Sequence, residues 1–121
     1  MKSAMLRAAL ADLSGKPGFL GSALVNIEDG MVWHAVGSLP ELESLASSAS
    51  NYWRLNTRTQ SNFSELGPLQ IAILVHQLGQ LTICECGKGM LLVTITNRRD
   101  TSYLTELKAA HPVLAEMVNN M

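Results

Sequence analysis

Apolar residues recur with helical spacing in three stretches of the chain. Residues 3–13 carry apolar side chains at i, i+3, i+4 and i+7, which predicts one buried helix face: Leu6, Ala9, Leu10 and Leu13. Gly15 and Pro17 follow and end this helix, because glycine accepts a left-handed cap and proline cannot continue the hydrogen-bond ladder.

The second helix is predicted over about 40–61 and is the longest element of the chain. Ser38 offers a cap oxygen, Pro40 suits the first turn, and Glu41 favours the positive end of the helix dipole. One stripe of this helix is predicted to face the core: Leu42, Leu45, Ala49, Trp53, Asn56 and, just beyond it, Phe63. The opposite side is predicted to be wet and carries Ser44, Asn51, Arg54 and Arg58.

The third helix closes the chain, with Asp100 or Thr101 as its predicted cap. Its apolar positions are Leu104, Leu107, Leu114, Met117 and Val118. Pro112 falls inside the pattern, so we expect a kink or two abutting helical pieces.

Alternation with a period of two predicts strands between these helices. Residues 19–27 and 31–36 flank Asp29-Gly30, a strong hairpin signal because the tight turn requires a positive φ. Three more strands are predicted at 69–76, 80–86 and 90–96, with no helix between them. The element order is therefore α-β-β-α-β-β-β-α, in one domain over residues 1–121.

Several strands are apolar on both faces, so both faces of the sheet must be covered. The three predicted helices can do this if the long middle helix lies on one face and the two terminal helices on the other. The fold class is therefore α/β, with three layers in the order α/β/α.

One flank of the long helix, outside its predicted core stripe, is also partly apolar. Ser48, Tyr52, Leu55 and Thr59 lie between the core stripe and the wet side, among small residues that would allow a second helix to approach closely. The alternative is that Tyr52 and Leu55 only cover the edge of their own core, since scattered exposed apolar residues are common.

Composition excludes several classes of function. Nine Lys and Arg against ten Asp and Glu give a net charge of -1, which argues against a general nucleic-acid binder. Arg7 and Asp12 interrupt the N-terminal apolar stretch, so a secretory leader is not expected there. The longest apolar runs, such as 71–75, are far shorter than a membrane span. A cytoplasmic protein is the expectation.

Residues with reactive side chains form no recognisable catalytic motif. Cys84 and Cys86 would lie on one side of a strand, where they could supply half of a zinc site but are better explained as buried core thiols. Gly87-Lys88-Gly89 lacks the upstream glycine and the hydroxyl residue of a phosphate loop. The three histidines, His34, His76 and His111, have no ligand-like spacing. The sequence predicts no catalytic residue, metal site or bound cofactor, and therefore a protein that is not an enzyme.

Four segments and their order resemble the roadblock/dynein light chain family. They are Gly18-Phe19-Leu20-Gly21-Ser22-Ala23-Leu24-Val25, Glu28-Asp29-Gly30-Met31-Val32, Gly67-Pro68-Leu69-Gln70-Ile71 and Met90-Leu91-Leu92-Val93. The resemblance covers nearly the whole chain in element order and length. It implies a central five-stranded antiparallel sheet and a homodimer, or a heterodimer with a paralogue.

In the family, the middle strands pair across a two-fold axis and the long helices lie side by side. Carried over to this chain, that implies a dimer interface made of Ser48, Tyr52, Leu55, Thr59, Leu69, Gln70, Ile71, Ile73 and Val75. The family's usual work is to bind and regulate small Ras-like GTPases or to act as a dimeric scaffold. Arg54 and Arg58 could contact such a GTPase, or they are two ordinary solvated arginines one helical turn apart.

Two other functions remain open at this point. Three-layer domains of this size often hold a small ligand against the sheet, so a small-ligand sensor is the alternative, with Trp33, Trp53 and the methionines as pocket residues. A thiol or metal enzyme would have to use Cys84 and Cys86.

Overall fold

The computed structural model describes residues 2–97 and 103–121, and its elements follow the predicted order. The helices are α1 (Lys2–Ser14), α2 (Leu42–Thr59) and α3 (Tyr103–Asn119). The strands are β1 (Phe19–Asn26), β2 (Val32–Gly37), β3 (Ala72–Val75), β4 (Gln80–Glu85) and β5 (Met90–Thr96). A 3₁₀ helix over Gln60–Leu66, called the 3₁₀ segment below, continues from α2. The predicted cap at Asp100 or Thr101 lies outside the described residues.

The strands form one antiparallel sheet of five strands in the order β2-β1-β5-β4-β3. This order places β2 and β3 at the two edges and β5 in the centre. The hairpin predicted at Asp29-Gly30 joins β1 to β2, and Gly30 has φ +74° there. The register between β1 and β2 shifts between Leu24 and Val25.

Two apolar cores cover the two faces of the sheet, which confirms the three-layer arrangement. The first lies between the sheet and the terminal helices α1 and α3, and includes Leu6, Leu10, Leu24, Leu92 and Leu114. The second lies between the sheet and α2, and includes Ala23, Ala46, Trp53, Ile83 and Val93. Alternate residues of β1 and β5 enter the two cores, because successive side chains of a strand point to opposite faces.

The start of α2 differs from the prediction. The residue that caps the helix is Glu41, in a left-handed conformation with φ 58° and no side-chain cap bond, so Ser38 and Pro40 do not begin the helix. The backbone N–H groups of Ser38 and Leu39 instead donate to the carbonyl oxygen of Leu20, at 3.0 and 3.3 Å. Tertiary hydrogen bonds to β1 therefore fix this loop, and local capping chemistry does not.

The predicted core stripe of α2 is also partly wrong. The buried positions are Leu42, Ala46, Ala49, Ser50 and Trp53, whereas Leu45 is 36% exposed and Phe63 is 50% exposed. A helix turns 100° per residue, so positions 42, 46, 49, 50 and 53 share one face and Leu45 lies to its side. Phe63 lies in the 3₁₀ segment, where its own backbone has φ −121° and breaks the helical path.

Helix α3 is continuous across Pro112, so of the two forms expected there, a kink or two helical pieces, the second is wrong. Buried Leu107 and Leu114 lie on either side of the proline and pack into the core with α1. Packing of this face holds the helix together where the missing N–H of Pro112 removes one backbone bond.

Candidate interaction surface

Strand β3 forms an open edge of the sheet. Within residues 2–97 and 103–121, the strand hydrogen-bonded to β3 is β4 on one side, and no strand lies on the other. The outer N–H and C=O groups of an edge strand are free to pair with another chain. Natural proteins often protect such an edge with a charged residue, a proline or a bulge, and β3 reads Ala-Ile-Leu-Val.

The two faces of β3 are unequally covered. Ala72 and Leu74 are half-buried and pack against the core under α2. Ile73 and Val75 point to the face that carries α1 and α3, and they are 41% and 61% exposed. The sequence predicted this alternation. Ile73 and Val75, however, lie at the edge of the sheet and are not part of the core of the single chain.

The predicted strand 69–76 is longer than β3. Leu69, Gln70 and Ile71 precede the strand and are exposed. Pro68 supplies no N–H and Gly67 has φ +79°, so the chain enters the sheet only after this turn. At the other end, the N–H of His76 donates to the carbonyl oxygen of Gly79 at 2.8 Å and begins the turn into β4.

One side of α2 remains exposed next to this edge. Tyr52 is 47% exposed and Leu55 is 53% exposed, Ser48 is exposed, and Thr59 is half-buried. Leu45 belongs to the same side, since positions 45, 48, 52, 55 and 59 follow the i, i+3, i+7, i+10, i+14 spacing of one helix stripe. We call these five residues the α2 flank. Together with β3, the flank makes a largely uncharged surface on the single chain.

Two grooves open at opposite ends of β3 on the side of α2. The hairpin groove, about 400 Å³, lies where β3 turns into β4 and is lined by residues including Leu45, Ser48, Tyr52, His76, Leu78 and Ile95. The 3₁₀ groove, about 350 Å³, lies where β3 begins and is lined by residues including Asn56, Gln60, Phe63, Leu66, Pro68 and Leu69. Among the described residues that line these two grooves there is no Asp, Glu, Lys or Arg.

The tryptophans proposed for a ligand pocket do not come together. Trp53 is buried in the core under α2, whereas Trp33 is 44% exposed on the edge strand β2. Neither lines the hairpin groove. The two tryptophans suggested for a small-ligand sensor are therefore not assembled into one site.

The two arginines of α2 have different environments. Arg54 is half-buried; its guanidinium donates to the carbonyl oxygen of Ile27 at 3.0 Å and to the side-chain oxygen of Asn51. It therefore links α2 to the β1–β2 turn, and the prediction that Arg54 lies on the wet side of the helix is only partly right. Arg58, one turn later, is exposed and is the better placed of the two for a partner.

Replacing these arginines one at a time should separate their roles. We expect Arg54→Ala to lower the free energy of unfolding by about 1–2 kcal/mol, because it removes a charged hydrogen bond to a main-chain oxygen. Arg58→Ala should stay within about 0.5 kcal/mol of the parent, as is usual for a surface substitution. Urea denaturation measures both, and equal destabilisation by the two variants would contradict this assignment.

The two cysteines are buried free thiols, as the sequence suggested. Cys84 and Cys86 lie in the core under α1 and α3, next to Met90 and Leu92. Burial raises the pKa of Cys84 to about 11. Burial, together with the neighbouring Cys84, raises the pKa of Cys86 to about 12. A protonated buried thiol is a poor nucleophile and a poor metal ligand.

These shifts predict a loss of stability in alkali. The ordinary thiol pKa is 9.0, so between pH 9 and about 11 the unfolded chain releases thiol protons that the folded chain retains. The free energy of unfolding should therefore fall as the pH rises above 9, with a slope approaching about 1.4 kcal/mol per pH unit for each thiol. Urea titrations at several alkaline pH values should show a shallower fall for the Cys84→Ala/Cys86→Ala variant, and an unchanged slope would contradict the prediction.

The histidines lie in three separate places. His34 shares a hydrogen bond of 3.1 Å with Ser3, and burial and the nearby Arg7 lower its pKa. The ring of His111 donates from Nε2 to the carbonyl oxygen of Glu85 at 2.6 Å, and His76 lines the hairpin groove. Over the described ranges, no group of three or more His, Cys, Asp or Glu side chains is arranged to hold a metal ion.

Within the part of the chain that the structure describes, each helix is too short or too polar to cross a lipid bilayer.

Comparisons with known proteins identify the fold. No protein-family model and no curated protein matches the sequence. Among solved structures, the chain is similar to one described as MglB with tetrameric arrangement, with TM-score 0.81 and 20% identity over 98% of this chain and 91% of that one. It is also similar to Myxococcus xanthus MglB, with TM-score 0.77 and 17% identity over 98% and 90% of the two chains.

A third solved structure carries the name of the family in its description. The Roadblock/LC7 domain from Streptomyces avermitilis has TM-score 0.75 and 20% identity to this chain, over 96% of this chain and 93% of that one. The structural match therefore extends over nearly the full length of both chains. The chain therefore has the Roadblock/LC7 domain fold, which its sequence resemblance implied.

Proposed function

We propose that this protein is a non-enzymatic interaction module that pairs with a second copy through β3 and the α2 flank, and that the paired form binds and regulates, or scaffolds, a small Ras-like GTPase. The observation that carries the proposal is the open, uncharged edge of β3 beside an exposed apolar side of α2. A second copy could pair with the open edge of β3 and cover the apolar side of α2 at the same time. A two-fold axis beside β3 would extend the sheet and bring the two α2 flanks together.

Three observations support self-pairing. Ile73 and Val75 are wet in the single chain and would stack against the same residues of a second β3. Tyr52 and Leu55 supply apolar area on the adjacent layer. A similar solved structure is described as MglB with tetrameric arrangement, so a protein with this fold does associate with itself.

The GTPase is proposed from the family resemblance, and one surface depression supports a site for it. The exposed Arg58 and the half-buried Arg54 line a surface depression with Glu28, on a side of α2 different from the flank. A partner with both apolar and charged groups could bind there while the flank is occupied. The buried, protonated thiols give no reason to propose thiol catalysis.

Two measurements on the purified chain test the proposal. Light scattering should give twice the monomer mass of 13.1 kDa at micromolar concentration. Small Ras-like GTPases encoded in the same genome, each loaded with GDP or with a non-hydrolysable GTP analogue, are then titrated with the chain, and binding should depend on the nucleotide. The chain alone should hydrolyse no GTP. A strictly monomeric mass, or equal failure of all loaded GTPases to bind, would overturn the proposal.

A further inference from the structure

A row of hydroxyl side chains crosses the sheet beneath the two terminal helices. Ser22 of β1 pairs with Thr94 of β5, and Thr94 pairs with Thr82 of β4, so the three residues lie side by side. All three are buried. They point to the face that carries α1 and α3, because Leu24 and Leu92, two positions along the same strands, belong to the core on that face.

Each end of this row is hydrogen-bonded to one terminal helix. The hydroxyl of Ser22 donates to the carbonyl oxygen of Leu10 in α1 at 3.3 Å and lies 2.6 Å from the hydroxyl of Ser14, the last residue of that helix. Thr82 Oγ1 donates to the phenol oxygen of Tyr103, the first residue of α3, at 3.0 Å. The two ends of the row therefore have partners within the chain.

The hydroxyl in the middle of the row has a different environment. Thr94 Oγ1 is buried and has no hydrogen-bond partner within residues 2–97 and 103–121. Thr96 Oγ1 lies two positions further along β5, on the same face of the sheet, and is also buried without a partner among these residues. A buried hydroxyl without a hydrogen bond is costly, and native proteins contain few of them. Two such groups on one strand indicate a shared partner from outside the polypeptide.

The hydroxyl groups around Thr94 are spaced for a bridging molecule. Directly opposed Cβ atoms of an antiparallel pair lie about 5 Å apart, and alternate residues of a strand lie about 7 Å apart. Polar groups at such separations that do not bond directly are commonly bridged by water. Thr82 and Tyr103 share one hydrogen bond but carry two hydroxyl protons, so this pair can donate once more. Thr94, Thr96 and the Thr82–Tyr103 pair thus offer three partners, the usual number for a buried water.

Size and charge select the ligand. Ser22 and Thr94 are smaller than the paired leucines Leu24 and Leu92 beside them on the same face of the sheet. The hydroxyl row therefore fills less volume than the leucine row. None of its residues is Asp, Glu, Lys, Arg or His, and a charged ligand would be costly to bury among them. The ligand that these groups can hold is small and neutral, and it both donates and accepts hydrogen bonds.

We infer that one ordered water molecule is bound by Thr94 Oγ1, Thr96 Oγ1 and the Thr82–Tyr103 pair, and that it links the start of α3 to the central strand of the sheet. The opposite face of β5 provides the contrast, because Val93, between the two threonines, lies in the apolar core under α2. The site lies within a single chain. It is therefore independent of self-pairing and of any GTPase.

Exchange of one hydroxyl for a methyl group tests the site with little change in side-chain shape. Thr94→Val should lower the folding equilibrium constant about 10-fold, because the water loses a partner that the methyl group cannot replace. If Thr94 Oγ1 had no partner in the folded chain, the same exchange would remove a buried unsatisfied group and leave the constant unchanged or higher. Val93→Thr is the reverse control and should also lower the constant, since it buries a hydroxyl among apolar side chains. Urea denaturation at one protein concentration measures both.

A double variant and direct detection of the water complete the test. Thr94→Val/Thr96→Val should lower the folding constant by less than the product of the two single effects, because both side chains bind the same molecule. Nuclear Overhauser contacts from a long-lived water should reach the amide protons of Thr94 and Thr96 in the parent and in Val93→Thr, and should be lost in the double variant. A Thr94→Val variant at least as stable as the parent, independent effects of the two threonines, or a parent without such contacts would each overturn the inference.

Discussion

Ile73→Asp should convert the proposed dimer to a monomer and leave the fold of the single chain in place. The side chain is 41% exposed on the face that carries α1 and α3, so a carboxylate there stays hydrated in the monomer. In the dimer, two such carboxylates would meet near the two-fold axis and be desolvated together, which disfavours pairing strongly. We expect Kd to rise at least about 100-fold, which corresponds to ~2.7 kcal/mol.

Leu74→Asp is the matched control for this substitution, since it is the next residue of the same strand. Leu74 points to the opposite face and packs with the core under α2. Its replacement should destabilise the single chain itself, seen as a lower urea midpoint, because it places a charge in an apolar contact. Sedimentation or light scattering over a dilution series measures Kd. A dimeric Ile73→Asp variant with parental affinity would contradict pairing through β3.

The second large effect is expected at the α2 flank. Leu55 is 53% exposed and lies on the same stripe as Tyr52. In the proposed dimer, Leu55→Asp would remove an apolar contact and add a charge where the two flanks would meet. We expect a rise in Kd of about 100-fold, as for a central interface residue. The free energy of unfolding of the monomer should stay within about 0.5 kcal/mol.

Thr57→Asp is the control for Leu55→Asp. Thr57 is exposed in the same turn of α2 but is not on the flank, so its replacement should leave the dimer unchanged. A Leu55→Asp variant that keeps the parental Kd would remove α2 from the interface. Such a result would favour the alternative that Tyr52 and Leu55 only cover the edge of their own core.

Patterns of alternation predicted the sheet better than they predicted the ends of its elements. β5 and the hairpin between β1 and β2 follow from strand periodicity and from the Asp29-Gly30 signal, which are local properties. The loop before α2 is held by hydrogen bonds from Ser38 and Leu39 to Leu20, a residue of β1 that is remote in sequence. Local capping rules could not predict that start.

The candidate site shows the same difference between features set by local sequence and features set by tertiary contacts. Helical spacing placed Tyr52 and Leu55 outside the core stripe, and both side chains are about half exposed. The partly structural use of Arg54 was missed, because its acceptor is a main-chain oxygen of Ile27, remote in sequence. Leu45 and Phe63 were assigned to the core because both are large and apolar, although the direction of α2 and its change to a 3₁₀ helix put them outside. An apolar residue type indicates that the side chain favours burial. It does not show whether that burial occurs within one chain or between two chains.

The irregular pairing of β1 with β2 has a consequence for how many copies can join. After two copies meet through β3, each remaining outer edge of the extended sheet is β2, whose register with β1 shifts between Leu24 and Val25. An irregular edge of this kind hinders further strand addition. Growth by strand addition would therefore stop at two chains, and the chain would be protected from polymerising into fibres.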